Sequence, residues 1–571
     1  MGRDRSLAVL ATAALVAAGL SGATAGAASA DVAGTTTPSS WLVLAEDVGD
    51  TGRLAQDLAA AGAEVTSVNE AIGLVSVRSA DVGFAARANA VDGVQGVATD
   101  RVVGVTPRRA APDPVERENV FDRSRRNGTV RDLPAPPFGH DPLDGLLWGM
   151  EMIDAFQAHA VETGDERVTV GVLDTGVQAD HPDLRDSVDT ALSRNFVTDM
   201  EDIDGPCEVA GCIDPATVDE GGHGTHVAGT IAASLNGLGI SGVAPDVTLV
   251  NIRGGQDSGF FFLGPVTSAL TYAGEAGLDV VNMSFYVDPW LYNCLGGAPE
   301  DSDAAASEQE VVIEAMTRAL DFAHDHDVTL VGSLGNGHED ISNPRVDETS
   351  PDYGADPYPR TIDDDTCFDL PVEGPHVLGV SAVGPSGAKA DYSNHATEVT
   401  SGEIELSAPG GWYRDRFGTE AHMTNGNLIL STVPFAYLVE TGEIDRKGNI
   451  TRLGRQNGIL KQCVSKRSDC GYYGWFQGTS MAAPHATGVA ALAVSAHGAV
   501  DPVAGHGLTM APDAVGDLLI DTAVDQACPA GGVQSYVREG RTAEWDAVCT
   551  GDAALNSLYG HGLVNALGVL G

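Results

Sequence analysis

Residues 168–177 read Val-Thr-Val-Gly-Val-Leu-Asp-Thr-Gly-Val, an apolar run that ends at the acidic Asp174. A short run rich in β-branched residues and closed by a turn is typical of a strand buried on both faces. Similar runs, separated by helical segments, recur at 247–252, 280–284, 328–333 and 377–383. This alternation predicts an α/β domain built on a doubly wound, mostly parallel sheet.

Asp174 therefore stands at the carboxyl end of a strand, where open α/β sheets bind their ligands. An acid in that position is as often a plain turn former. The segment Gly221-Gly-His223-Gly-Thr-His226 places His223 at the start of a predicted helix. Two histidines three residues apart suggest zinc, but the pattern lacks the accompanying Glu of metalloprotease helices, which favours a structural His226.

A third segment, Gly-Thr-Ser480-Met-Ala-Ala-Pro484, opens an alanine-rich helix with Ser480 at its start. Proline is tolerated only near the first turn of a helix, so Pro484 supports a helix start here. The amides of that turn favour a developing negative charge at the serine. A serine that only caps the helix would leave a similar pattern.

Together these segments resemble the three active-site motifs of the subtilisin-like serine peptidases, and the resemblance extends from Asp141 to the carboxyl terminus. It implies that Ser480 is the nucleophile, His223 the general base and Asp174 the residue that orients the imidazole. It also implies that Asn336, in a Gly-Asn-Gly turn, donates to the oxyanion. Such chemistry requires no cofactor.

The same resemblance implies a set of substrate-binding residues, namely Ser284, Phe285, Tyr286, Ser333, Leu334, Gly335 and Asp369. The family usually has Leu-Gly-Gly after the serine that corresponds to Ser284, so the bulky Phe285 and Tyr286 are expected to narrow the neighbouring subsites. Asp369 falls near the floor of the primary specificity pocket. An acid there would favour Lys or Arg in the substrate.

Residues 1–30 predict a secretory signal peptide, because two arginines precede the apolar run 7–20 and a small-residue cleavage site ends at Ala30. The apolar run is shorter than the ~20 residues that a membrane-spanning helix needs. No later stretch qualifies. We therefore expect a secreted, extracellular protein without a membrane anchor.

Residues 31–108 predict a small α+β domain whose elements follow the ferredoxin-like order β-α-β-β-α-β. By the family resemblance this domain is an inhibitory prodomain, removed by self-cleavage. Residues 109–140 are rich in Arg and Pro, which is typical of an exposed processing linker. Residues 141–571 then form the peptidase domain, with an insert near 411–476 that could hold a hairpin or a lid.

The chain is strongly acidic, with 80 Asp plus Glu against 32 Lys plus Arg and a formal net charge of -48. Such a charge disfavours nucleic acid and anionic membranes as partners. We expect protein or peptide substrates, the prodomain as an intramolecular inhibitor, and a monomer. The acidic run Asp199–Asp204 could bind structural calcium, although such runs are more often only solvated.

Eight cysteines, an even number in an exported chain, predict disulfide bonds. Sequence alone does not fix their pairing. Proximity along the chain favours three pairs and leaves a fourth by elimination: Cys207–Cys212, Cys463–Cys470, Cys528–Cys549 and Cys294–Cys367.

Two other functions remain open at this point. Asp174-Thr-Gly and Asp257-Ser-Gly could form the shared-proton carboxylate pair of an aspartic protease. Alternatively, Tyr286 or the insert could close the cleft and leave a binding protein with an idle triad. Inhibition by a serine-directed phosphonate tests the first alternative, and failure of the precursor to shorten would favour the second.

Overall fold

The structure is a computed structural model that describes residues 39–100, 141–344, 346–465, 468–500 and 507–571. The signal peptide expected at 1–30 and the linker expected at 109–140 lie outside these ranges. In the part of the chain that is described, no helix combines the length and apolar character needed to cross a membrane.

Residues 39–100 form a small domain with a four-stranded antiparallel sheet of order β2-β3-β1-β4. Two helices pack on this sheet. In chain order the elements are β1 Ser39–Ala45, α1 Thr51–Ala60, β2 Glu64–Asn69, β3 Leu74–Ser79, α2 Phe84–Ala88 and β4 Val94–Thr99. The predicted β-α-β-β-α-β order is therefore present.

The central strand β1 of this small sheet contributes to two cores, because successive side chains of a strand point to opposite faces of the sheet. Val43 packs with Leu54 and Phe84 from the two helices of the small domain. Leu42 and Leu44 instead belong to a core that the sheet shares with the larger domain. Successive apolar residues of β1 therefore pack into two different cores, one on each face of the sheet.

The larger domain follows from residue 141. Its helices are α3 Trp148–Met152, α4 Ala155–Ala158, α5 His223–Ala232, α6 Leu263–Ala276, α7 Asp303–Asp325, α8 Phe435–Glu440, α9 Arg452–Gln456, α10 Thr479–His497 and α11 Pro512–Thr522. Its strands are β5 Thr169–Leu173, β6 Arg194–Asn195, β7 Thr248–Arg253, β8 Val280–Met283, β9 Asn293–Cys294, β10 Thr329–Ser333, β11 Val346–Asp347, β12 Arg360–Thr361, β13 Cys367–Phe368, β14 Val377–Val383, β15 Leu406–Pro409, β16 Ile429–Val433, β17 Leu460–Ser465, β18 Ser468–Phe476, β19 Ala499–Val500, β20 Leu508–Thr509, β21 Val533–Gln534 and β22 Ala547–Val548.

Seven of these strands form one parallel sheet of order β15-β14-β10-β8-β5-β7-β6. The predicted doubly wound sheet is confirmed. After β5 the chain forms β6 at the outer edge of the sheet, then β7 between β6 and β5, and then crosses to β8 on the other side of β5. β5 therefore borders the point where the winding reverses, and Asp174 follows its last residue at the edge where such sheets bind ligands.

Helices cover both faces of this sheet. Helices α5 and α10 contribute to one core, whereas α6 and α7 contribute to the core shared with the small domain. Residues 479–494 of α10 are all buried. A helix that is buried all round needs small side chains for close packing, which explains its alanine-rich sequence.

The four predicted disulfide pairings are confirmed, with bonds between Cys207 and Cys212, Cys294 and Cys367, Cys463 and Cys470, and Cys528 and Cys549.

The segment predicted as an insert contributes an antiparallel sheet of order β16-β18-β17. The first strand of this sheet, β16, contacts α5. Ser431 Oγ donates to the main-chain oxygen of His226 at 2.7 Å, and Thr432 Oγ1 donates to that of Thr225 at 2.7 Å. Because β16 binds the helix that begins at His223, it supports the site rather than acting as a detached lid.

Candidate active site

Asp174 and His223 are in direct contact at the carboxyl edge of the sheet. His223 Nδ1 lies 2.8 Å from Oδ1 and 2.9 Å from Oδ2 of Asp174. Asp174 is fully buried and also accepts a 2.7 Å hydrogen bond from the Thr175 main-chain N–H. A carboxylate held in this way fixes one imidazole nitrogen as a donor and can stabilise an imidazolium cation.

The start of α5 is held by Asp219, which sequence reasoning missed. Its Oδ1 accepts from Gly222 N at 2.8 Å, and its Oδ2 accepts from Thr225 N at 2.9 Å. Burial raises the pKa of Asp219, although these hydrogen bonds oppose that shift. An acid just before a predicted helix is a capping signal, so the sequence did carry a clue.

Glycines allow the close approach that the Asp174–His223 contact requires. A Cβ on Gly224 would lie 2.2 Å from the main-chain oxygen of Gly176 and 2.9 Å from Cβ of Asp174. Any larger residue at position 224 would push α5 away from β5.

Ser480 is the second residue of α10 and is 4% exposed. Its Oγ lies 3.4 Å from the main-chain oxygen of Ser284. Its own main-chain oxygen accepts a 3.2 Å hydrogen bond from Ser284 Oγ. In a regular helix that oxygen would accept from the residue four positions later, which here is Pro484 and has no N–H.

Asn336 follows β10 and is oriented by Thr479. Its Oδ1 accepts from Thr479 N at 2.9 Å and from Thr479 Oγ1 at 3.0 Å. Since a main-chain N–H can only donate, the oxygen end of the amide must face Thr479, and Nδ2 faces the opposite way. Thr479 Oγ1 also accepts from Gly335 N at 3.1 Å. Sequence reasoning did not identify this role of Thr479.

The residues expected to bind substrate differ in how they are held. Phe285 stacks on Phe261 with ring centroids 4.1 Å apart, and Tyr286 Oη donates to Asp352 Oδ2 at 2.6 Å. Both bulky side chains are therefore anchored to neighbouring loops.

Ser333 and Leu334 continue from β10 toward Gly335 and are both buried. Leu334 belongs to a small apolar core with Ile341 and Val372. It can therefore meet a substrate only through its main chain.

Asp369 lies beside Gly335, with Oδ2 3.5 Å from the point where a Cβ of that glycine would stand. It is 3% exposed, and burial raises the pKa of its carboxyl well above its usual range. Glu373 accepts a hydrogen bond from the Asp369 main-chain N–H, and its pKa is raised for the same reason. Among the described residues, no Lys or Arg forms an ion pair with Asp369, so the acid beside Gly335 lacks a basic partner.

His226 does not join His223 in a metal site. Its ring is fully buried, stacks on Phe476 at a centroid distance of 4.4 Å, and places Nε2 3.3 Å from the main-chain oxygen of Ile429. Burial lowers the pKa of His226 to about 3, so the ring is neutral. It is a core residue, in line with the structural interpretation.

Asp257 contacts Arg253 at 3.0 Å, whereas Asp174 contacts His223. A shared-proton pair requires two carboxylates in direct contact. Because each aspartate is held by a different basic residue, the arrangement does not support the aspartic protease alternative.

A sequence model described as the Subtilase family matches residues 165–562. The chain is 29% identical to fervidolysin of Fervidobacterium pennivorans over 377 residues, which is 64% of this chain and 39% of that protein. It is 28% identical to subtilisin DY of Bacillus licheniformis over 263 residues, which is 46% of this chain and 72% of that protein.

A solved structure of the epidermin leader peptide processing serine protease from Staphylococcus aureus superposes with a TM-score of 0.58. The two are 18% identical, and the match covers 93% of this chain and 98% of that one. At that identity the likeness concerns the fold.

Proposed function

Because this chain belongs to the subtilase family of serine endopeptidases, we propose that it is a secreted, self-processing enzyme that hydrolyses proteins through Asp174, His223 and Ser480. The observation that carries the proposal is the 2.8 Å contact between His223 Nδ1 and the buried Asp174 at the ligand-binding edge of the sheet.

In the proposed reaction, Ser480 Oγ attacks the scissile carbonyl carbon while His223 takes its proton, and Asp174 stabilises the imidazolium. The oxyanion accepts hydrogen bonds from Asn336 Nδ2 and from Ser480 N. His223 then protonates the leaving amine. Water hydrolyses the acyl-enzyme by the same proton transfers in reverse.

We further propose that the pocket beside Gly335 favours Lys or Arg. Asp369 is buried there without a basic partner among the described residues. A buried carboxyl gains most from ionisation when a cation lies next to it, so a basic substrate side chain would stabilise the charged form.

The small domain is proposed to be the inhibitory prodomain. Its contact with α7 supports this role, because Arg318 Nη1 donates to the main-chain oxygens of Ala45 and Ile72 at 3.0 Å each. At the end of the small sheet, Thr99 N donates to Glu308 at 3.1 Å. These contacts hold the small domain on α7, and Thr99 ends the last strand before the chain continues into the proposed processing region.

The proposed chemistry uses no cofactor. The expected calcium loop fits calcium poorly at Asp199, because Arg253 already lies 2.9 Å from Asp199, 2.9 Å from Asp214 and 3.0 Å from Asp257. The guanidinium supplies the positive charge that a metal ion would otherwise provide. A calcium ion among these three carboxylates would have to displace it.

The test compares the precursor with its Ser480→Ala variant by intact mass and by hydrolysis of casein, with and without phenylmethylsulfonyl fluoride. Only the unmutated chain should shorten and digest casein. Ser495→Ala is a matched control, since Ser495 lies on the same helix and its hydroxyl donates to Ala491. Equal maturation and activity of the Ser480→Ala variant would refute the proposal, and an unmutated precursor that neither shortens nor digests would favour the idle binding protein.

A further inference from the structure

Two histidines and two aspartates meet on the surface where three chain segments come together. Asp321 and His324 lie near the end of α7, His376 precedes β14, and Asp513 lies in the first turn of α11. His324 Nε2 is 3.0 Å from Asp513 Oδ1, and His376 Nε2 is 3.2 Å from Asp321 Oδ1. The two imidazole rings stack with centroids 3.7 Å apart. We call these four residues the His–Asp cluster.

The donor atoms of the cluster are close enough to share one ion. One ligand atom from each of His324, His376 and Asp513 lies within 4.8 Å of the other two. Zinc binds histidine nitrogen and carboxylate oxygen at about 2.0–2.2 Å, which sets neighbouring tetrahedral donors roughly 3.4 Å apart. The 3.0 Å pair of His324 and Asp513 is already close to that spacing.

We propose that the His–Asp cluster binds a divalent transition metal of the zinc class, with His324, His376 and Asp513 as protein ligands and water completing the shell. Asp321 positions the ring of His376, as a carboxylate commonly does for a ligating histidine.

The donor chemistry selects the class of metal. Calcium prefers shells made of oxygen alone, whereas imidazole suits zinc, copper and nickel. The site is also open to solution, because the side chains of His324 and Asp513 are 17% and 83% exposed. The net charge of -48 further raises the local concentration of cations.

Binding requires a small movement of the rings. Their planes are 12° apart, and the lone pair of a ligating nitrogen lies in its ring plane, so both rings must tilt toward a common point. The bound ion would then tie α7, the segment before β14 and α11 together. Since the unfolded chain does not hold this arrangement, binding stabilises the folded state.

The experiment uses the full chain with Ser480→Ala, which removes self-digestion, and without a polyhistidine tag. Zinc is titrated calorimetrically, and thermal unfolding is followed with zinc, with calcium and with EDTA. We expect one zinc site per chain and a rise in Tm with zinc that calcium does not reproduce. His324→Ala and His376→Ala should each weaken zinc binding by at least about tenfold. The matched control is His326→Ala, since His326 is an exposed histidine directly after α7, two residues beyond His324, and this change should leave zinc binding unchanged.

Cobalt provides a second readout that needs no substitution. Intense visible absorption bands of a four-coordinate cobalt complex with nitrogen ligands would support the site, and only the weak bands of hydrated cobalt would overturn it. Absence of zinc binding by the unmutated chain, or binding that survives both histidine substitutions, would also overturn the proposal. Zinc binding, Tm and cobalt absorption do not require peptide hydrolysis, so these outcomes are independent of the proposed peptidase activity.

Discussion

The hydroxyl of Ser284 donates a 3.2 Å hydrogen bond to the main-chain oxygen of Ser480, in the position that the missing N–H of Pro484 would otherwise fill. Ser284→Ala should therefore leave a buried carbonyl without its donor and make the position of Ser480, the proposed nucleophile, less fixed. We expect kcat to fall about tenfold, with little change in KM.

Steady-state kinetics check this expectation, with Ser381→Ala as a control because the Ser381 hydroxyl donates to Leu558 in the same buried manner. In a Pro484→Ala background, the N–H at position 484 can donate to the Ser480 oxygen in place of Ser284. The decrease in kcat caused by Ser284→Ala should then be smaller. An equal decrease in kcat with Pro484 and with Pro484→Ala would show that Ser284 and position 484 do not act on the same carbonyl.

Asn336→Ala should lower kcat by about 10²–10³-fold with a small effect on KM, the usual cost of losing one oxyanion donor. The reason is that Thr479 holds Oδ1 and directs Nδ2 to the other side. Asn343→Ala, at an exposed position, should leave kcat unchanged. A loss confined to KM would instead indicate a role in ground-state binding.

Asp369→Asn should reduce kcat/KM for a peptide cleaved after Lys by at least about tenfold relative to one cleaved after Met. The raised pKa of Asp369 means that its carboxyl is protonated at low pH. The preference of the unmutated enzyme for Lys should therefore increase with pH, and that of the variant should not. Asp363→Asn, an exposed acid nearby in sequence, is the control. A pH-independent preference that persists in Asp369→Asn would exclude this residue.

His226 should make the fold sensitive to acid. Its pKa is lowered by burial to about 3 in the folded state, against about 6.5 when unfolded. As pH falls from 6.5 toward 3, the unfolded chain binds a proton that the folded chain does not, so stability drops by about 1.4 kcal/mol per pH unit.

Denaturant unfolding of the Ser480→Ala chain and of the same chain with His226→Gln, at pH 7 and pH 5, checks this point. The pH-dependent loss should be about 2 kcal/mol smaller with His226→Gln, whatever its stability at pH 7. His326→Gln, at an exposed site, should keep the full loss. An equal pH-dependent loss of stability in the Ser480→Ala chain with and without His226→Gln would argue against His226 as its source.

Arg318→Ala should weaken the hold of the small domain, because the oxygens of Ala45 and Ile72 lose their donor. An unpaired buried carbonyl costs about 1–3 kcal/mol. In the full precursor, cleavage of the small domain lowers the intact mass, and casein hydrolysis is expected to follow after a delay until that domain dissociates. This delay should be shorter in Arg318→Ala. Arg185→Ala removes only an exposed pair with Asp469 and should not shorten the delay. An unchanged delay in Arg318→Ala would separate this contact from inhibition.

Five of the seven strands of the large sheet were predictable, because they are buried on both faces and their sequences are continuous apolar runs. The predicted strand 377–383 coincides with β14. By contrast, β6 has only two residues, both polar or charged, and gives no periodic signal. In the small domain, α2 is short, Phe84–Ala88, because Asp81 accepts from Gly83 N and forms a turn before it.

The sequence indicates candidate site residues only where a single motif contains them. Asp174, His223 and Ser480 each stand in a recognisable segment. By contrast, Thr479 bonds Gly335 and Asn336, which lie 144 and 143 residues earlier in the chain. The bond from Ser284 to Ser480 joins positions 196 residues apart. Contacts between residues so far apart in the sequence are set by tertiary packing, and a motif within one segment does not predict them.

The order of the elements along the chain has a consequence for biosynthesis. A ribosome delivers the amino-terminal part first, and domains generally fold as they emerge. The small domain, Asp174 and His223 all precede β14 and β15, and the helix that begins at Thr479 comes after every strand of the large sheet. The unfinished polypeptide therefore lacks Ser480, the proposed nucleophile, during most of translation, and the small domain is already made when Ser480 is added.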